Sequence, residues 1–524
     1  MKPSTLVDII TNAVELFPSK EAFKCEENAL SFNELDIKTS QLASCLVDLG
    51  VDQGDRVGIY LNRCIETVIA IYGILKAGAA YVPLDFTAPH ARTQSIIDNC
   101  DISFLVSSNK QKRKIASLSK QKSSLKGIIG VTQDLPLESL PWEFVFNITL
   151  DNYSPKKINE DDLAYIMFTS GSTGTPKGIM HTHKSGLNYA MLSSQLYQVK
   201  SSDKVGNHAP INFDISTFGY FSAPLAGAST VIITDAHTKF PVSLAKLIHE
   251  EQLTIWYSVP LALIQILLSG ALDKIEINSL RWVLFGGEVF GLKYLKELMA
   301  KWPDAMFSNV YGPAEVNQCT YYNFNSLFKH TSQLPIGKVW DKTSYKILDS
   351  DDNEVAKGDM GVLVINSITM MKGYWGKEEL TKQSCYFEKS NADQESRYYR
   401  TGDVVFENAN GDLVFVGRND RQVKLRGFRI ELDEIESVLL KHPSVREASV
   451  IIVELTENKK SIYAAILLLS EAQVLPKELI SFCKTNLPGY AVPERIEIFV
   501  ELPRTSSGKI DRNVLKKNII NKIG

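Results

Sequence analysis

Apolar positions recur along this chain with two alternating periods. Over residues 32–49 and 66–76 they fall three and four apart, which predicts amphipathic helices. The runs 56–60, 102–106, 229–233 and 281–284 are short and nearly all apolar, which predicts buried strands. This alternation predicts α/β layers around largely parallel sheets. The opening residues, with Asp8 inside an apolar run, read as the start of an amphipathic helix. From about Gly361 the pattern changes to short strands and turns, and Asn410-Gly411 marks a hairpin between 404–406 and 413–416. Beyond Asp420, helix patterns at 431–441 and 477–486 and strand patterns at 448–453 and 462–469 predict a separate small α+β domain. The expected division is therefore a large core over 1–419, a β-rich part closing it, and a small domain over 420–524. The lysine-rich stretch 109–126 reads as a mobile, solvated surface piece.

Composition alters this picture little. With 524 residues, 44% of them hydrophobic and 22% charged, the chain has enough apolar content for more than one core. A net charge of -3 sets up no overall field favouring nucleic acid or an anionic membrane, and no apolar run reaches the length of a membrane span. No nucleic-acid or membrane partner is expected. The seven cysteines are scattered, odd in number and without zinc-type spacing, and no signal-peptide layout precedes them; a reducing cytoplasm is the expected compartment.

The chemistry is concentrated in Tyr165-Ile-Met-Phe-Thr-Ser-Gly-Ser-Thr-Gly-Thr-Pro-Lys-Gly178, an apolar run opening into a hydroxyl- and glycine-rich loop with one lysine. Thr169, Ser170, Ser172 and Thr173 offer hydroxyls and Lys177 an ammonium. Gly171 and Gly174 let the backbone approach an anion, so the loop suits a polyphosphate. It is not a P-loop: counting from Gly171, Pro176 stands where that motif needs glycine and Gly178 where it needs a hydroxyl. A solvated Ser/Thr/Gly linker is the plain alternative.

The loop resembles the phosphate loop of the acyl-adenylate-forming superfamily, and other segments match that family in order. They are Leu75 to Asp85, Phe213-Asp-Ile-Ser216, Asn309-Val-Tyr-Gly-Pro-Ala-Glu315, Tyr399-Arg-Thr-Gly-Asp403, Gly417 to Gly427, Leu487 to Pro493 and Arg504 to Asp511. The resemblance implies ATP and Mg²⁺ as cofactors and a small domain that swivels about Asp420 between two half-reactions. It implies that Lys509 is the adenylation lysine and that Lys424 enters the cleft when the thioester forms. By the same resemblance Glu315 takes the metal, a role suited to a hard oxygen ligand. Tyr311 offers a face to adenine, and Asn309 reads the base edge. Gly287, Val310 and Gly312 complete the nucleotide site, while Asp403 and Arg418 hold the ribose or a phosphate. A surface lysine for Lys509 and a surface salt bridge for Asp403 with Arg418 are the plain alternatives. Ala314 departs from the family's usual threonine, which removes a hydroxyl aimed at the phosphates; Val362 departs from its usual glutamate, away from the chemistry.

Asp214 falls where amino-acid-activating members of the family place a carboxylate against the substrate's α-ammonium; a helix N-cap is the competing reading. The family's pocket positions map onto Asp214, Ile215, Phe218, Tyr257, Leu284, Gly286, Val310, Gln318 and Cys319, closed by Lys509. That wall is apolar and sets no full charge opposite Asp214, so a modest apolar amino acid is expected. Tyr257, Leu284 and Cys319 resemble the stand-alone prolyl-adenylating enzymes; L-proline is the first choice, with alanine, valine and pipecolate as alternatives. Only a short basic tail follows Lys509, so the expected acceptor is the phosphopantetheine thiol of a separate carrier protein. Competing readings are an acyl- or aryl-CoA ligase and an inactive nucleotide-binding scaffold.

Overall fold

The computed structural model describes residues 2–120, 124–132, 135–151, 153–171, 176–327, 333–389, 395–456, 459–469, 472–505 and 510–523. The predicted alternation produces two large, mainly parallel sheets. One runs Gly373–Tyr374, Lys177–Thr182, Leu163–Thr169, Ala80–Pro83, Arg56–Ile59, Phe104–Val106, Gly127–Ile129 and Glu138–Leu140. The other runs Lys338–Val339, Thr320–Phe324, Met306–Tyr311, Trp282–Gly286, Ile255–Ser258, Lys204–Asn207, Ser229–Ile232, Glu21–Cys25 and Asn28–Ser31. Strands such as Phe104–Val106, Ile255–Ser258 and Trp282–Gly286 are buried along their whole length, as expected of parallel strands covered on both faces.

Local sequence explains the helices that cover these sheets. Phe32–Asp48 starts with a capping box: Ser31 Oγ accepts from the Glu34 N–H, and the Glu34 carboxylate accepts from the Ser31 N–H. Its buried stripe includes Leu35, Leu42 and Leu46 and packs on Ile65–Lys76. Gly73 makes that approach possible, because a Cβ there would lie 2.6 Å from Leu42 Cδ2. The N-terminal helix, Asp8–Leu16, buries Ile9, Ile10 and Ala13.

A five-stranded antiparallel sheet follows, built on Glu395–Glu407, which pairs with Gly361–Ser367, Cys385–Lys389 and Leu413–Arg418. The Asn410-Gly411 hairpin lies between its last two strands, with Gly411 at φ 76°. The lysine-rich stretch departs from expectation. Its described part forms a short 3-10 turn, Asn109–Gln111, and a helix, Lys112–Leu118, that buries Ile115 and Leu118. Gln111 Nε2 also donates to Asn62 Oδ1 at 2.6 Å. Two apolar residues three apart anchor the turn, although lysines dominate its composition.

The chain divides into two compact units, one of 1–84, 100–168 and 178–419, the other of 85–99, 169–177 and 420–524. The last segment of the second unit begins at Asp420, and two earlier segments group with it. Contacts that sequence pattern cannot register join them, including an ion pair between Arg92 and Glu434 at 2.7 Å. In the second unit a sheet of Val445–Thr456, Lys459–Leu468 and Arg495–Phe499 carries the helices Leu432–Leu439, Pro476–Asn486 and Arg512–Ile523. A hairpin, Gln422–Leu425 with Phe428–Glu431, turns through Arg426 and Gly427, both at positive φ. Among the described residues no helix is long and apolar enough to cross a membrane.

Candidate active site

The strand Leu163–Thr169 ends where the hydroxyl-rich loop begins, and the chain returns in the strand Lys177–Thr182. A P-loop would continue into a helix, so this strand–loop–strand path argues against one independently of the sequence count. Ser172, Thr173 and Gly174 lie outside the described residues. Within the second unit Ser170 Oγ donates to the Arg429 carbonyl at 2.9 Å. Thr169 Oγ1 is buried and meets no partner among the described residues. Gly171 precedes the part of the loop outside the described residues, and Lys177 opens the return strand.

Met306–Tyr311 carries Asn309, Val310 and Tyr311 into the turn Gly312 to Glu315. Gly312 is required there, because a Cβ would lie 2.0 Å from the Asn317 carbonyl. Tyr311 OH donates to Asp403 Oδ2 at 2.5 Å, Arg418 Nη1 donates to Asp403 Oδ1 at 2.5 Å, and Arg418 Nη2 reaches the Thr401 carbonyl at 3.1 Å. Asp403 is only 3% exposed, so this is a buried pair rather than a surface salt bridge. Burial, with the Asp403 carboxylate adding, pushes the Tyr311 phenol well above its ordinary pKa, and it stays a donor. Asn309 spends its Nδ2 on the Pro335 carbonyl at 2.7 Å, which orients the side chain. Gly286 ends the strand Trp282–Gly286 with no room for a Cβ, which would lie 2.3 Å from the Val310 carbonyl; Gly287 follows at φ 90°.

Glu315 is fully buried, and its Oε1 accepts from Tyr374 OH at 2.8 Å. A lone, oriented carboxylate fits Mg²⁺, which takes one or two carboxylates and fills its octahedron with phosphate oxygens and water. Among the described residues no cluster of three or more His, Cys, Asp or Glu makes an all-protein cage. The turn is held from behind by His181, whose Nε2 donates to the Ala314 carbonyl at 2.9 Å. Neither Tyr374 nor His181 stands out in sequence, since an isolated tyrosine or histidine carries no spacing signal.

Burial pulls His181 and His183 down to about 4 from an ordinary 6.5. The unfolded chain therefore binds protons below pH 6.5 that the native state refuses until about pH 4. Stability falls as pH drops through that window, by up to roughly 1.4 kcal/mol per pH unit for each histidine. Urea midpoints measured between pH 7.5 and 4.5 should decline, and His181→Gln should flatten the slope. An unchanged slope in that variant would remove His181 from the account.

The pocket positions converge. Ile215, Phe218, Tyr257, Leu284 and Val310 belong to one packed cluster, in which Phe218 meets Tyr257 edge-on at 5.8 Å. Gln318 Nε2 donates to Tyr257 OH. Cys319 instead packs in the neighbouring cluster with Ile179, Val316 and Tyr374, its Sγ donating to the Tyr311 carbonyl at 3.6 Å. Asp214 is half-buried and Oδ1 accepts from the adjacent Ile215 N–H at 2.9 Å, a bond to the next residue rather than the second or third of a regular N-cap. Its charge is felt by three buried phenols, Tyr165, Tyr189 and Tyr257, each raised chiefly by burial and further by Asp214. In the second unit Lys424 lies on the strand Gln422–Leu425, across from Arg429. Asp420 Oδ1 accepts from the Gln422 N–H at 3.1 Å. Lys509 lies outside the described residues.

A family model described as AMP-binding enzyme matches residues 10–375, and one described as AMP-binding enzyme C-terminal domain matches residues 434–509. The chain belongs to the AMP-binding enzyme family. Among its relatives, an L-proline--L-prolyl-carrier protein ligase of Pseudomonas fluorescens is 30% identical over 505 residues, covering 96% of this chain and 97% of the relative. A ligase of the same name from Streptomyces coelicolor is 32% identical over 498 residues, covering 92% and 91%. The solved Vibrio cholerae adenylation domain AlmE, in complex with glycyl-adenosine-5'-phosphate, superposes with a TM-score of 0.84 at 24% identity over 99% of this chain and 98% of that one. That likeness establishes a shared α/β adenylation fold. As an AMP-binding enzyme, the chain has in Tyr311, Asp403 and Arg418 a joined set of polar groups suited to a ribose.

Proposed function

We propose that this protein uses ATP to activate a small amino acid, with L-proline as the first choice, and passes it to the phosphopantetheine thiol of a separate carrier protein. The observation that carries this reading is the Asp214 carboxylate among three buried phenols beside an apolar cluster, a place that favours a substrate ammonium. The proline ligases that match this chain nearly end to end support the choice of acid and acceptor.

In the first step a substrate carboxylate oxygen attacks the α-phosphorus and pyrophosphate departs, leaving aminoacyl-AMP. Asp214 fixes the ammonium, Asp403 and Arg418 hold the ribose, and Lys509 neutralises charge developing on the transferring phosphoryl group. Glu315 would hold Mg²⁺, which would supply further charge neutralisation at the phosphates. In the second step the carrier's sulfur attacks the acyl carbon, the thiol proton passes to solvent, and the acyl C–O bond breaks so that AMP departs. Lys424 serves this half. The loop hydroxyls and Lys177 bind phosphate oxygens.

Amino-acid-dependent exchange of labelled pyrophosphate into ATP tests the reading. Exchange driven by a small amino acid supports it; exchange driven only by fatty or aryl acids would overturn the role of Asp214. Transfer to coenzyme A but not to a holo-carrier protein would overturn the acceptor. The two lysines separate the halves: Lys509→Ala should lower exchange by about 10²-fold or more, the scale of a lost transition-state contact. Lys424→Ala should leave exchange within a few-fold while carrier loading in single-turnover assays falls by a similar factor. Equal loss of both steps in Lys424→Ala would sink that division of labour.

A further inference from the structure

Resting on the amino-acid adenylation reading, we infer that Tyr72 and Thr230 are positioning residues for amino-acid recognition, acting by holding a π-helical turn over Phe218–Ser222. The turn lies just after Asp214 and begins with Phe218, one of the residues that the resemblance assigns to the substrate. In it the Ala223 N–H bonds the Phe218 carbonyl, five residues back, instead of the Gly219 carbonyl that it would reach in an α-helix. Pro224 comes next and has no N–H to give the Tyr220 carbonyl, its own α-helical partner. Two neighbouring carbonyls thus lose their α-helical donors.

Each is taken up by a hydroxyl from a distant part of the chain. Thr230 Oγ1, on the strand Ser229–Ile232, donates to the Gly219 carbonyl at 2.8 Å. Tyr72 OH, on the helix Ile65–Lys76, donates to the Tyr220 carbonyl at 2.7 Å. Both side chains are fully buried. Gly219 is the residue that the turn needs, since a Cβ there would lie 2.8 Å from Asn207 Cγ. A buried carbonyl without a donor is costly, so the two hydroxyls favour the π-turn over a regular helix, in which Gly219 would regain its own N–H partner. One inserted residue rotates the segment before it by about 100° relative to a regular helix. The π-turn therefore sets which face Asp214, Ile215 and Phe218 present. In the register observed, Phe218 meets Tyr257 edge-on at 5.8 Å. Tyr72 packs in a different cluster from Phe218 and Tyr257, so it acts on them through the turn.

The experiment measures KM for ATP and KM for the amino acid that drives pyrophosphate exchange best, together with thermal unfolding. Tyr72→Phe and Thr230→Val each delete one hydroxyl and keep the rest of the side chain's shape. Each should raise the amino-acid KM by about tenfold or more while the KM for ATP stays within about twofold, because moving a binding group by about 1 Å is enough for such a loss. Thr230→Ser keeps the hydroxyl and should match wild type. Pro224→Ala deletes neither tie and returns an N–H to the Tyr220 carbonyl; by favouring the regular helix it should move the amino-acid KM the same way, by about threefold or more. A buried hydrogen bond with a purely structural role would, when lost, lower the unfolding temperature and leave both KM values alone. If the amino-acid KM is unmoved in a folded hydroxyl-deleted variant, or both KM values rise together, the inference falls and the adenylation reading survives. Should neither hydroxyl-deleted variant fold, Pro224→Ala decides alone, and an unmoved amino-acid KM there is the overturning result. If no amino acid supports exchange by the wild-type enzyme, the inference and the adenylation reading both fall.

Discussion

Asp214→Ala should reduce amino-acid-dependent pyrophosphate exchange by about 10²- to 10³-fold, equivalent to roughly 3–4 kcal/mol, the scale expected for leaving one member of a desolvated charge pair without its partner. The loss should be similar for every amino acid tested, because the α-ammonium is common to all of them. The local backbone has reason to survive the change. The Asp214 carbonyl accepts from Thr217 Oγ1 at 2.5 Å and from the Thr217 N–H at 3.0 Å, and neither bond uses the carboxylate. What disappears is the acceptor for the Ile215 N–H and the charge near Tyr165, Tyr189 and Tyr257. Asp214→Asn separates these two losses, since it keeps an oxygen for Ile215 but no charge. Both variants should be equally poor in exchange, and the asparagine form should be the more stable. Exchange within tenfold of wild type in either variant would remove Asp214 from ammonium recognition and restore the capping role.

The second large effect is expected at Asp403. Its carboxylate accepts from Arg418 and Tyr311, which leaves each oxygen a further lone pair for a ribose hydroxyl. Asp403→Asn puts a neutral amide in place of the carboxylate that faces the mostly buried Arg418 guanidinium. Destabilisation of about 3–5 kcal/mol is the expected scale, read as a lower urea midpoint. The KM for ATP should rise more than tenfold in whatever fraction remains folded. Tyr311→Phe is the control, since it deletes the hydrogen bond to the charged carboxylate, worth roughly 1.5–3 kcal/mol, and leaves the ion pair. A destabilised Asp403→Asn enzyme with an unchanged KM for ATP would make Asp403 a structural residue only.

Much of the architecture was readable from local pattern. The strands at 56–60 and 281–284 and the helices at 32–49 and 477–486 were found within a few residues of their predicted bounds, as Arg56–Ile59, Trp282–Gly286, Phe32–Asp48 and Pro476–Asn486. In each the apolar period is uninterrupted and the ends carry turn or cap residues. The 109–126 stretch was misread because charge dominates its composition, whereas burial depends only on where Ile115 and Leu118 fall on the helix. Within the site, Cys319 illustrates the same limit. It follows Gln318 directly, yet packs behind Tyr311 in the neighbouring cluster, because adjacent residues leave a chain in different directions. Tyr374 and His181, which brace the Glu315 turn, carried no signal at all, each being a single polar residue in an ordinary strand.

The order of chemical groups along the chain, the phosphate-loop composition, the alternation of helix and strand, and the family resemblance are properties of local sequence. They follow from side-chain chemistry and short-range periodicity and need no partner distant in the chain. Which polar groups are buried together is a different matter. Tyr311 and Asp403 are 92 residues apart and Gln318 and Tyr257 are 61 apart, and each pair shares a hydrogen bond. Parallel register sets Tyr257 opposite Leu284 and Gly286 opposite Val310, which fixes how these residues lie beside one another. Long-range sheet pairing, not local propensity, turns Asp403 into a buried ion-pair partner, because hydrogen bonding and desolvation act on groups that only the fold brings together.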